Sequence, residues 1–90
     1  MKRREEWQKV LEHEVQYWSE MPFEQLISDL RELKVYEVEH DAQKFQVEVE
    51  ILKEADDYVQ VMVAVDDGSL PTSLFPATHI FIRNLPRAGG

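Results

Sequence analysis

Two runs of strict alternation constrain this chain more than any other feature in it. Phe45, Val47, Val49 and Ile51 occupy every second position, and so do Val59, Val61, Val63 and Val65. Successive side chains of a strand point to opposite faces, so each run lays four β-branched or aromatic groups on one side of a sheet. Between the runs stands Glu54-Ala55-Asp56-Asp57, a short charged turn. The pair reads as an antiparallel hairpin with one buried face and one wet face.

A buried sheet face needs a covering layer, and the N-terminal third supplies one. Trp7, Val10, Leu11, Val15, Trp18 and Met21 recur at three- and four-residue steps, the spacing of one helix face, which predicts a helix over about 3–19. Pro22 breaks the pattern and suits a first helical turn. A second helix is therefore expected over about 22–33, with Phe23, Leu26, Ile27, Leu30 and Leu33 as its apolar stripe. Strands are expected over about 34–40, 44–53, 58–66 and 79–83, with a frayed tail at 84–90. The reading is one α+β domain, two N-terminal helices packed on one face of a four-stranded antiparallel meander sheet.

Registers depend on the turns. Tyr36 and Val38 are expected on the core side of the first strand, beside Phe45 and Val47. If only Asp41 and Ala42 form the first turn, Glu39 stands opposite Lys44, a favourable pair. So tight a turn favours glycine where Ala42 sits, and a longer loop stays open as the alternative. In the second hairpin, a loop centred on Ala55 pairs Leu52 with Tyr58, Glu50 with Gln60 and Glu48 with Met62.

Charge narrows the partners. The net charge is −8, and residues 34–66 carry 3 basic against 9 acidic groups. A nucleic-acid partner is not expected, because phosphate binding needs a basic surface. The absence of cysteine excludes disulfides and thiolate zinc sites. No stretch has the length of a membrane span, and Met1–Trp7 holds basic residues without an apolar run behind them. Neither a membrane partner nor a signal peptide is expected, and the cytoplasm is the expected location.

Candidate functional residues fall in two places. Glu14 lies near the centre of the Trp7–Trp18 stripe, flanked by Leu11 and Trp18. A carboxylate there either lines a pocket between helix and sheet or, if the stripe is wider than the contact, reaches water or pairs with a nearby Lys, Arg or Tyr. The stretch Asp66–Thr78 has no period and two prolines and reads as a long loop. With Glu14, the residues Asp66, Asp67, Ser69 and His79 form the candidate ligand set. The spacing of His13, His40 and His79 fits no metal site, and no catalytic set or cofactor motif emerges.

The outer face of the hairpin is uneven, with Lys44, Gln46, Glu48 and Glu50 at one end and Leu52, Tyr58 and Met62 at the other. Phe81 joins the apolar side if the last strand buries Ile80 and Ile82. Leu52, Tyr58, Met62 and Phe81 are the candidate interface. The leading expectation is a non-catalytic, acidic protein-interaction or regulatory module that self-associates through this face. One version of it is an inhibitor that occupies a basic site on a protein target. The alternative is a small-ligand-binding protein or enzyme using Glu14 and the 66–79 loop.

Overall fold

A computed structural model describes residues 2–67 and 77–86, with side chains from Glu5 onward. Two helices, α1 (Lys2–Ser19) and α2 (Phe23–Asp29), precede four strands. These are β1 (Lys34–His40), β2 (Gln43–Glu54), β3 (Tyr58–Asp66) and β4 (Ala77–Asn84). The strands form one antiparallel sheet in the order β1-β2-β3-β4, a meander, and the fold is α+β.

Alternation decides which face is buried. Phe45, Val47 and Val49 of β2 and Val61, Val63 and Val65 of β3 are fully buried. Helix α1 lies over β3 and β4, and its Val10, Leu11 and Trp18 join the same buried core. Each such side chain contributes about 1.5–3 kcal/mol when taken out of water. At the outer edge of the sheet, Tyr36 and Val38 of β1 face the same core and are only half buried.

The connection between the helices is fixed by β4, the strand on which α1 packs. Arg83 Nη1 donates to the carbonyl oxygens of Ser19 (2.8 Å) and Met21 (2.7 Å). A helix C-terminus leaves its last carbonyls without intrahelical partners, and a guanidinium there satisfies them and complements the helix dipole. Pro22 then precedes α2, and its carbonyl accepts the Leu26 N–H at 2.9 Å. Leu26, with no exposed surface, is the anchor of α2.

Helix α2 is shorter than the apolar stripe predicts. Leu30 leaves the helical conformation at φ −102° and ψ 20°, while its side chain stays buried. The residues after it turn the chain into β1, whose first residue, Lys34, pairs with Val49. A helix continuing to Leu33 would overrun that pairing. Leu33 is instead 52% exposed and outside the core.

Both hairpins differ in detail from expectation. The first turn is the two-residue form, with Asp41 at φ 50° and Ala42 at φ 64°. Glu39 stands opposite Lys44 and His40 opposite Gln43, so β2 starts at Gln43. The second turn closes around Asp56 and Asp57, with the Ala55 N–H bonded to the Tyr58 carbonyl at 2.8 Å. Leu52 is the extra residue of a bulge between the pairs Ile51–Val61 and Lys53–Gln60. Glu50 therefore faces Met62 and Glu48 faces Ala64, two residues away from the register that a loop centred on Ala55 implies. The bulge absorbs the odd residue and keeps both valine runs on the buried face.

The last strand is longer than 79–83. It begins at Ala77 and includes Asn84, and the Leu85 N–H bonds to the Asp57 carbonyl at 2.9 Å. The start of the expected tail is thus tied to the β2–β3 turn.

Candidate functional site

Helix α1 covers β3 and β4, so its other flank looks across to β1 over an open cleft. Glu14 sits on that flank with 6% of its surface exposed, a carboxylate among core side chains. Burying such a group is costly unless its oxygens are bonded. Here both are. Glu14 Oε1 accepts the hydroxyl proton of Tyr36, and Oε2 lies 2.9 Å from Nδ1 of His13.

The Tyr36 oxygen accepts in turn. Trp18 Nε1–H donates to it at 2.8 Å, so indole, phenol and carboxylate form one directed chain across the α1–β1 gap. The helix supplies Glu14 and Trp18 four residues apart, hence on one face. The strand supplies Tyr36, which alternation turns inward opposite Val47. Burial first, and then the hydrogen bond to Glu14, push the Tyr36 phenol well above the usual tyrosine range, against a smaller downward pull from the Trp18 N–H.

Two cavities flank this chain and share His13 and Glu14 as walls. One, of about 350 Å³, lies toward the β1 end and is lined by Lys9, Val10, Val38, Glu39 and His40 besides the shared pair. The other, of about 420 Å³, lies toward the start of β1 and adds Tyr17, Trp18, Asp29, Lys34 and Tyr36. In the second, Tyr17 meets Trp18 edge to face at 5.5 Å, and Trp18 and Tyr36 are tilted by 42° at 6.4 Å.

The sequence-selected ligand residues do not converge. Glu14 lines both cavities, and neither lining includes Asp66, Asp67 or His79. Asp66 follows the inward Val65 and pairs with Gln46 on the opposite side of the sheet. His79 pairs with Val63 on the inner side of β4, exposed at the sheet edge. Ser69 lies outside the described residues. Among the described residues, no group of three His, Cys, Asp or Glu side chains is placed to hold a metal ion.

Sequence reasoning placed Trp18 and Tyr36 only in the core, weighed His13 only as a metal ligand and passed over Tyr17, but it offered a tyrosine among the possible partners of Glu14, and Tyr36 is that partner. The signal for Tyr36 was present: it is the one inward side chain of β1 that ends in a hydroxyl, on the strand beside a helix with a carboxylate in its apolar stripe.

The outer face also regroups. Phe81 pairs with Val61 and packs against the core, so it does not belong to the outer surface. Its neighbours Ile80 and Ile82 point outward instead, 49% and 55% exposed. The reason is register, because Phe81 opposite a buried valine must share its face. Leu52, at the bulge, is exposed, and Tyr58 and Met62 are half buried. The Lys53 ammonium lies 5.8 Å from the Tyr58 ring centre, and Met62 stands between Glu50 and Ile80. No helix among the described residues is long and apolar enough to cross a membrane.

Comparison with protein families, with curated proteins and with solved structures finds no match.

Proposed function

We propose that this chain is a non-catalytic interaction module whose working form is a symmetric dimer, made by antiparallel pairing of β4 with β4 of a second copy. The observation that carries the reading is the pair Ile80 and Ile82, half exposed on the terminal strand of the sheet. An edge strand presents unpaired backbone N–H and C=O groups, and proteins that stay monomeric blunt it with charge or proline. The outward side chains of β4 are Thr78, Ile80, Ile82 and Asn84, none of them charged.

The strand is also self-complementary. A two-fold axis at Phe81 sets Ile80 of one copy against Ile82 of the other, and Thr78 against Asn84. Such an isologous contact uses one patch twice and closes. Two four-stranded sheets then become one continuous sheet, with the apolar pairs on its outer face.

Charge selects this edge over the other. β1 is the opposite edge, and its outward side chains include Glu37 and Glu39. Pairing β1 with itself would bring like charges together. Stacking the outer faces would do the same for Glu48 and Glu50. A dimer through β4 sets the two β1 strands seven strand spacings apart, roughly 33 Å, beyond the Debye length of about 8 Å at physiological salt.

Sedimentation equilibrium tests the proposal. The wild-type chain is expected to sediment as a dimer at micromolar concentration, and Ile82→Lys as a folded monomer. A wild-type chain that stays monomeric into the millimolar range overturns it.

A further inference from the structure

We infer that the larger cavity of the α1–β1 cleft is a binding site for a methylated ammonium group. The site is separate from the β4 edge and does not depend on the dimer.

The walls carry the inference. Tyr17, Trp18 and Tyr36 surround one cavity of about 420 Å³ at three different inclinations. The rings are not stacked in parallel, and the exposed ring area of the wall belongs mainly to Tyr17, with Tyr36 half buried. Trp18, 3% exposed, forms the floor, and Tyr17, 55% exposed, stands at the rim. A cation within about 6 Å of such faces is attracted by their quadrupoles.

The polar ends of two rings are already used. The Trp18 N–H is given to Tyr36, and the Tyr36 hydroxyl proton to Glu14. A sugar or amide, which needs free donors and acceptors, finds few of them here. A methylated ammonium needs none: it asks for π faces and a negative field.

The field has the right sign. Glu14 and Asp29 contribute two carboxylates to the wall, Lys34 one ammonium, and His13 an imidazole whose Nδ1 lies 2.9 Å from Glu14 Oε2. Asp29 offsets Lys34, and Lys34 is exposed and free to extend into water. The remaining carboxylate, Glu14, is the buried one, where screening by solvent is weakest. Its oxygens hold one partner each, and a carboxylate has about four lone-pair positions.

A methylated ammonium reaches a protein either as a free small molecule or on a lysine side chain of another chain. Choline and a short trimethyllysine peptide represent the two sources. Each is titrated into the full chain while the two indole N–H resonances are followed, with Trp7→Phe assigning that of Trp18. The controls are the unmethylated peptide and the neutral isostere of choline, with C(CH₃)₃ in place of N(CH₃)₃⁺.

The expected result is a saturable shift of the Trp18 resonance with the methylated cations and at least tenfold weaker binding of the controls. The tighter of the two cations identifies the source. Tyr17→Leu, at an exposed position that leaves the core intact, is expected to weaken binding about 3- to 30-fold. Glu14→Gln is expected to weaken it further, and if that variant fails to fold, Tyr17→Leu decides. No shift at tens of millimolar cation, equal binding of the neutral isostere, or an unchanged affinity in Tyr17→Leu each overturns the inference.

Discussion

The hydroxyl of Tyr36 on β1 donates its proton to the carboxylate of Glu14 on α1, across a cleft that separates them by 22 positions in the chain. This bond joins the helix layer to the edge strand farthest from the strands that α1 covers. With the Trp18 N–H bond to the same hydroxyl and the packing of Tyr36 and Val38 on the core, it ties β1 to the rest of the molecule on the side away from its ladder to β2.

Tyr36→Phe removes the donor to Glu14 and the acceptor for Trp18 together. A buried polar group left without its partner costs about 1–3 kcal/mol. The variant is expected to lose about that much in urea unfolding, with the slope of the transition unchanged.

The same residue sets an alkaline dependence. The folded-state pKa of Tyr36 is raised, by burial first and by Glu14 second. Its contribution is fully present below the unfolded tyrosine value of about 10. Above that value the unfolded chain releases a proton that the folded chain keeps, and stability falls until the folded pKa is passed. Phenolate absorbance in the folded protein is expected to show one of the three tyrosines resisting ionisation. Tyr36→Phe should flatten the loss of stability above pH about 10.

Arg83→Met tests the tie between β4 and the helix pair. The change keeps an unbranched apolar stem and removes two charge-assisted bonds to the Ser19 and Met21 carbonyls. Such bonds are worth about 1.5–3 kcal/mol each at most. A loss of roughly 2 kcal/mol is expected, which lowers the melting temperature by about 8–16 °C in a domain of this size. Amide exchange should accelerate first at the α1–α2 junction.

Ala42→Gly should stabilise the protein. Ala42 holds φ 64°, a conformation that is costly for a residue with a Cβ and free for glycine. Asp-Gly is a favoured pair for this turn. A gain of about 0.5–1 kcal/mol is expected in urea denaturation, and unchanged stability would mean that the Ala42 backbone is not strained.

Leu26→Ala measures how much α2 contributes. Leu26 is fully buried, and truncating such a leucine costs about 2–5 kcal/mol. Loss at the lower end of that range would show that the short helix settles into the space left behind.

The periodicities in the sequence determined the elements and the buried face. Phe45–Ile51 and Val59–Val65 alternate so regularly that only one face can be apolar, and the helix stripe of Trp7–Trp18 has that face to cover. The anomaly of Glu14 was legible for the same reason, as a charge at a position where the period demands an apolar group. Tertiary structure alone decided what Glu14 meets. Its partner Tyr36 is set by where α1 packs on the sheet, a choice that no local pattern records. It also decided which way the last strand faces. Ala77–Asn84 is apolar on both sides around Ile80, Phe81 and Ile82, so its own sequence fits either face. The ladder to β3, by setting Phe81 against Val61, turned the two isoleucines outward.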